Sequence, residues 1–242
     1  MRTTVAALVF ACSVLVPPAA AQAESTPVRR TVERSAAAAS HVRVDGSIGD
    51  VQIVGDDGSA VRVTARIRAL SDAAAAKVGV DVTRSGDESV VTVNVPQSSP
   101  SFVHWLFDRS HISVDLVVHV PRRSVLVVRS SVGDLDVRGV VAAIEARTAT
   151  GDIHLHDVAM DVSAATGTGD VAVDLIGGWR GTRLTVRTGT GDARIHVSAG
   201  LRAHVEARAG VGDVRNEIGD ANVASPVIVA HSGVGDVTIT TR

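Results

Sequence analysis

An aspartate that recurs after glycine could supply carboxylate ligands to calcium. The pairs are Gly49-Asp50, Gly133-Asp134, Gly151-Asp152, Gly169-Asp170, Gly191-Asp192, Gly212-Asp213 and Gly235-Asp236. Calcium takes six to eight oxygen ligands, and repeats that bind it in this way carry glycine and aspartate more densely. From Asp134 onward the aspartates lie 18 to 23 residues apart. The spacing therefore favours structural turns in which aspartate accepts backbone N–H groups.

Histidines form a second candidate site. His154 and His156 share one strand face with Asp152, and His196 has the same position in its repeat as His156. Such a spacing can hold zinc. Outward strand positions are polar in any case, and neither cysteine nor a further histidine converges in sequence. We therefore expect no metal site and no cofactor.

A basic column is the third candidate. Five residues before the aspartates stand Asp45, Arg129, Arg147, Ala165, Arg187, Arg208 and His231. The four arginines could bind anionic polysaccharide or phospholipid headgroups. The alternative is that they only offset the nearby aspartates at an exposed edge.

Aromatic residues are rare and clustered. Phe102, Trp105 and Phe107, together with Leu106, lie within six residues of one another. Such an apolar segment either caps one end of the fold or contacts a partner, such as an envelope protein.

We find no sequence motif of an enzyme. A G-x-S-x-G sequence is absent, and Gly167-Thr168-Gly169 and Gly189-Thr190-Gly191 lack the third glycine of a dinucleotide loop. We therefore expect a protein without catalytic residues.

Strands with alternating side chains must position the recurring aspartates, histidines and arginines. Apolar residues occur eight and six positions before each aspartate and one and three positions after it, with Asn216 as the polar exception. This alternation predicts a short half-buried strand on either side of each Gly-Asp corner. Repeats of this length are too short for a helical crossover. The sequence thus predicts an all-β, single-domain parallel β-solenoid, with coils of about 20 residues stacked in chain order.

The first half is less regular. Residues 61–67 alternate as a strand, a short helix follows Ser71, and residues 80–95 read as a hairpin. Another strand covers residues 111–121. We expect an irregular β front half over residues 35–121 and regular Gly-Asp repeats over residues 122–242.

The N-terminus predicts export. An apolar run follows Arg2, and Ala21-Gln22-Ala23 fits signal peptidase, so residues 1–23 read as a signal peptide and residues 24–34 as a flexible leader. Cys12 fits a lipoprotein signal poorly. We expect an unlipidated protein of the periplasm or cell surface, with no transmembrane segment after cleavage. The net charge of −2 argues against nucleic-acid binding.

The repeats resemble those of the bacterial "putative adhesin" domain family. The resemblance rests on TGTGDVAV and TATGDIHL in the array and on VDLVVHVP before it, and it covers residues 38–242. It implies a right-handed β-solenoid, or a related stacked sheet, outside the inner membrane. It brings no established activity and no catalytic residue. The aromatic segment at residues 102–107 departs from the shared pattern.

The favoured function is a non-catalytic envelope module that acts as a scaffold, an adhesin-like surface or a sensor domain. Its partner would be an envelope protein or a polysaccharide; the sequence leaves its oligomeric state open. A carbohydrate-active β-helix enzyme would need sugar-stacking aromatics, and Trp179 is the only aromatic residue in the array. A lipid or lipoprotein carrier would need an open apolar groove.

Overall fold

Short strands make up most of the chain in the computed structural model, which describes residues 28–241 except 47, 96–111 and 222. One short helix, α1 (Asp72–Ala76), interrupts them. The strands are β1 (Val28–Ala37), β2 (His41–Asp45), β3 (Val51–Asp56), β4 (Ala60–Ala69), β5 (Gly79–Ser85), β6 (Glu88–Asn94), β7 (Ser113–Pro121), β8 (Val125–Val132), β9 (Leu135–Arg138), β10 (Ile144–Thr150), β11 (Ile153–Val158), β12 (Val162–Thr168), β13 (Val171–Leu175), β14 (Arg183–Thr190), β15 (Ala193–Val197), β16 (His204–Val211), β17 (Val214–Asn216), β18 (Val227–Val234) and β19 (Val237–Thr241).

The strands form two sheets that enclose one apolar core. The first sheet has the order β1-β4-β7-β3-β9-β11-β13-β15-β19-β17, and the second has the order β16-β18-β14-β12-β10-β8-β2-β6-β5. Pairing is antiparallel for β1–β4, β4–β7 and β5–β6, and parallel for the other strand pairs described. The chain is therefore all-β, with two mixed and mainly parallel sheets.

Each Gly-Asp corner joins a strand of the second sheet to a strand of the first. In β13, Val171 and Val173 are fully buried, whereas Ala172 between them faces outward. This alternation follows from the two-residue period of a strand. Burying a valine side chain stabilises the fold by about 1.5–3 kcal/mol, so the inward columns can hold a domain without disulfides.

The glycines of the corners bring the backbones of neighbouring repeats into close contact. Gly151 has a φ angle of 135°, and a Cβ atom placed there would lie 2.1 Å from the carbonyl oxygen of Gly133. Because an L-residue rarely adopts this φ angle and its side chain would clash, only glycine fits. The other six corner glycines also have φ angles of 130–138°.

The corner aspartates form a ladder of hydrogen bonds. In six of the seven, Oδ1 accepts a hydrogen bond from the backbone N–H of the aspartate in the neighbouring repeat, at distances of 2.8–3.1 Å. The series runs through Asp50, Asp134, Asp152, Asp170, Asp192, Asp236 and Asp213. The carboxylates thereby satisfy N–H groups at the corners between strands.

The last two repeats do not stack in chain order, which corrects the prediction that each coil pairs with the next. Strand β18 lies between β14 and β16, and β19 lies between β15 and β17. The more apolar repeat thus takes the interior position, since Ile228 and Ile239 are fully buried there. The repeat around Asp213 forms the end of the stack. Val214, predicted to face the core, is consequently 46% exposed.

Asn216 occupies the same end strand. It pairs in register with Ile239, and its Oδ1 atom accepts the backbone N–H of Ile218. This pairing leaves no β-bulge at Asn216. An edge strand leaves the amide partly accessible, so a polar side chain in an inward column is tolerated here.

The front half continues the same stack. Strand β2 pairs in parallel with β8, and β3 pairs with β9. The predicted hairpin is confirmed as β5–β6, and the predicted helix as α1, whose first turn is capped by the Ser71 hydroxyl. The predicted leader over residues 24–34 is wrong for residues 28–34, because these belong to β1. This edge strand pairs with β4 over its whole length, which satisfies the backbone polar groups on the side that faces β4.

Two predictions fall outside the described residues, namely the signal peptide over residues 1–23 and the aromatic segment at residues 102–107. Within the described part of the chain, no helix is both long enough and apolar enough to cross a membrane.

Candidate functional site: the basic column of the second sheet

Parallel pairing aligns the predicted arginines on the outer face of the second sheet. Arg147 pairs in register with Arg129, Arg187 lies between Ala165 and His231, and His231 pairs with Arg208. Neighbouring strands are about 4.8 Å apart. We call this set the basic column; in spatial order it consists of Arg129, Arg147, Ala165, Arg187, His231 and Arg208.

The arginines of the column differ in their ion pairing. Glu145 Oε1 lies 3.2 Å from Arg147 Nε and 3.6 Å from Arg129 Nη2, so one carboxylate is shared by both guanidinium groups. Arg187 and Arg208 have no ion pair among the residues that the structure describes. Glu206, two residues before Arg208, pairs with His204 instead. We call the part of the column on β14, β18 and β16 the charged half, since its guanidinium groups are unpaired. Ala165 and His231 interrupt the series of four arginines.

A shallow groove of about 500 Å³ adjoins the column. Its lining includes the short side chain of Ser163 on β12 and the apolar side chain of Val127. Two carboxylates, Glu145 and Asp161, and two guanidinium groups, Arg183 and Arg187, also line it, so the groove itself is balanced in charge. The unpaired arginines lie along and beside it, and such a line of cations suits an extended anionic chain better than a compact ligand.

The aspartate ladder uses its carboxylates internally. Besides the backbone bonds, Arg194 donates to Asp170 Oδ2 at 2.8 Å and to Asp192 Oδ2 at 2.6 Å. The backbone N–H of Asp192, together with the Arg194 guanidinium, holds the pKa of Asp170 below its ordinary value. These oxygens therefore act as acceptors for protein donors at the corners.

The histidines on the first sheet are held by carboxylates. His196 Nδ1 lies 2.8 Å from Asp174 Oδ1, and His156 Nδ1 lies 3.3 Å from Asp174 Oδ2. His156 Nε2 lies 3.5 Å from Asp136, and the ring of His154 stacks on that of His156. Among the described residues no group of three side chains is placed to hold a metal ion.

Two features of the surface escaped the sequence analysis. The first is the ion pairing by Glu145, which lies two residues before Arg147 on β10 and therefore on the same face. That spacing was the available signal for the contact with Arg147, whereas the contact with Arg129 follows from the sheet register. A second group of arginines lies on β1 and β4. The alternation of Arg62, Arg66 and Arg68 signalled it, but Arg29 had been assigned to the leader.

The fold is similar to that of solved bacterial proteins. The structure of a putative cell adhesion protein from Clostridium sporogenes matches with a TM-score of 0.50 and 12% identity, over 88% of this chain and 100% of that one. A putative adhesin from Bacteroides fragilis matches with a TM-score of 0.47 and 14% identity, over 88% and 97% of the two chains. A putative lipid binding protein from Parabacteroides distasonis matches with a TM-score of 0.33 and 9% identity, over 88% and 96%.

No family model and no curated protein matches the sequence. At these identities the likeness to the Clostridium sporogenes protein extends to the fold alone. The chain thus shares its architecture with that putative cell adhesion protein.

Proposed function

We propose that the chain is a non-catalytic, exported β-solenoid module of the cell envelope, and that it acts as an adhesin-like binding surface for an acidic polysaccharide. The parallel pairing of successive repeats supports the solenoid. The predicted signal peptide supports export. The fold shared with a putative cell adhesion protein, and the repeats that resemble the "putative adhesin" family, support an adhesin-like role.

The charged half of the basic column is the observation that carries this proposal. Arg187 and Arg208 flank His231 on three neighbouring strands, and neither arginine has a carboxylate partner within the described part of the chain. The strands fix the backbone spacing of these groups, so the conformational entropy lost when a ligand binds is that of the side chains alone. A column of cations at strand spacing favours a polymer that carries acidic groups at short intervals.

Binding of polysaccharides to the exported protein tests the proposal. Polygalacturonate serves as the acidic probe and dextran as the neutral control. We expect measurable binding of polygalacturonate that weakens with salt, and none of dextran. Replacing both Arg187 and Arg208 by Gln should weaken polygalacturonate binding by about tenfold or more, because two charge-assisted contacts are lost.

A matched variant controls for overall charge. Arg29→Gln with Arg66→Gln removes two exposed arginines from the first sheet and should leave polygalacturonate binding unchanged. Equal losses in the two double variants would mean that net charge, rather than the column, governs binding, and the proposal would then be rejected.

A further inference from the structure

A cleft lined by four arginines lies on the outer face of the first sheet, away from the basic column. Arg29 on β1 and Arg66 and Arg68 on β4 line it, together with Thr31 and Asp115. Arg30 lines it as well, but its guanidinium group donates to the backbone carbonyl of Ala75. The volume of the cleft is about 300 Å³. Three neighbouring strands, β1, β4 and β7, supply these residues, so their backbone positions are fixed by hydrogen-bonded pairing.

The cleft carries more positive than negative charge. Arg68 pairs with Asp115 Oδ2, and the Ser113 hydroxyl donates to Asp115 Oδ1 at 3.2 Å. Both oxygens of this carboxylate are therefore engaged. Arg66 stands directly opposite Asp115 in the strand register, yet it has no ion pair among the described residues.

A like-charged pair adds to this excess. Arg29 lies directly across from Arg68, and like charges at such positions on one sheet face destabilise the pairing. Arg29, too, has no carboxylate partner in the described part of the chain. An anion bound between Arg29, Arg66 and Arg68 would relieve the repulsion, and the Thr31 side chain could donate to it.

We propose that this cleft is a binding site for a phosphoryl group. The guanidinium group is planar and presents donors that match phosphate oxygens in pairs. Three such groups around one small cleft suit a compact, multiply charged anion, whereas the basic column suits an extended polymer. The inference does not rest on the proposed polysaccharide binding.

The phosphoryl group can come from two sources, free phosphate or the headgroup of an anionic phospholipid. The cleft opens on an exposed sheet face, where Arg68 is 52% exposed in its side chain, so either source has access. Calorimetric titration with inorganic phosphate measures the binding of free phosphate. Co-sedimentation with vesicles of phosphatidylglycerol in phosphatidylcholine, against vesicles of pure phosphatidylcholine, measures the binding of the headgroup.

Variants of the two unpaired arginines test the site. Arg29→Gln with Arg66→Gln should keep or slightly raise the melting temperature, because neither side chain has an ion-pair partner to lose and the repulsion between Arg29 and Arg68 is removed. It should weaken binding to phosphate or to phosphatidylglycerol vesicles by about tenfold or more. The control variant is Arg187→Gln with Arg208→Gln on the second sheet. It should bind phosphate and phosphatidylglycerol vesicles as the wild type does.

The outcomes are distinct. Binding of soluble phosphate that depends on Arg29 and Arg66 identifies free phosphate as a sufficient ligand, and dependence seen only with vesicles identifies the lipid headgroup. The absence of both, or equal losses in the two double variants, overturns the proposal. Polygalacturonate binding can persist or fail independently of these results.

Discussion

Oδ1 of Asp170 accepts a hydrogen bond of 2.8 Å from the backbone N–H of Asp192 in the neighbouring repeat. The same bond joins every neighbouring pair of corner aspartates from Asp50 to Asp213. The Gly-Asp pair therefore has two separate tasks. Glycine lets the backbones of adjacent repeats approach each other, and aspartate satisfies the N–H groups at the corner.

Loss of one ladder carboxylate should destabilise the fold moderately. Asp152→Ala removes the acceptor for the N–H of Asp170, so we expect the free energy of unfolding to fall by about 1–2 kcal/mol. Asp152→Asn keeps an acceptor oxygen and should cost less. Chemical denaturation of both variants measures the difference; equal costs would show that the hydrogen bond is not the cause.

Adding a methyl group at a corner glycine should be more damaging. Gly151→Ala would force an L-residue to a φ angle of 135° and place its Cβ atom 2.1 Å from the Gly133 carbonyl oxygen, so we expect a loss of at least about 2 kcal/mol. Gly177→Ala is the control, since its nearest neighbouring atom is the Ser198 hydroxyl at 4.0 Å. A similar thermal stability of the two variants would contradict the close packing of the corners.

Acid should weaken the ladder through Asp170. The N–H of Asp192 and the Arg194 guanidinium lower the pKa of Asp170 in the folded state, so the unfolded chain binds the proton more readily. The stability that this group contributes is complete above its ordinary pKa of 3.8 and is lost as the pH falls through the lowered value.

Asp170→Asn removes the titrating group but keeps an acceptor. The melting temperature of this variant should fall less steeply than that of the wild type between about pH 5 and pH 2. Identical slopes for the two proteins would exclude Asp170 as a contributor to acid unfolding.

A new carboxylate should lower the stability of the fold at one position of β13 and leave it nearly unchanged at the next. Val171→Asp places an unpaired charge in the core and should cost more than about 3 kcal/mol. Ala172→Asp puts the same group on the outer face, where the strand register sets it between His154 and Arg194, and should be nearly neutral. Melting curves that coincide for the two variants would refute the inward and outward assignment of β13.

The sequence was sufficient to predict the strands and the corners because both depend on local pattern. Alternation places Val171 inward whichever strand is its neighbour in the sheet. A corner that needs a positive φ angle needs glycine in every repeat. Stacking order is different, because all the repeats carry the same pattern. The one local hint was Asn216, a polar residue that an end strand tolerates and an interior strand does not.

The candidate surfaces were predictable only in part. The alignment of repeats found Arg187, Arg208 and His231 in one column. It could not show which carboxylates pair with the arginines. Glu145 pairs with Arg147, whereas Glu206, at the same spacing from Arg208, pairs with His204, because the choice of partner depends on side-chain conformation. Strand β1 was missed because polar residues such as Arg29 and Arg34 occupy both of its faces, as an edge strand allows.

Stacking order is the most direct test of this account, because it places His231 between Arg187 and Arg208. Residues 190, 234 and 211 lie at equivalent positions on β14, β18 and β16, and Thr190 pairs in register with Val234. Adjacent strands are about 4.8 Å apart and alternate strands about twice as far, whereas a disulfide needs Cα atoms within about 7 Å.

Disulfide formation between introduced cysteines can therefore be measured in a Cys12→Ser background. Thr190→Cys with Val234→Cys should form an intramolecular disulfide under mild oxidation, and Thr190→Cys with Val211→Cys should not. The opposite result, with cross-linking of residues 190 and 211 alone, would mean that the repeats stack in chain order and would contradict the arrangement of both the core and the basic column.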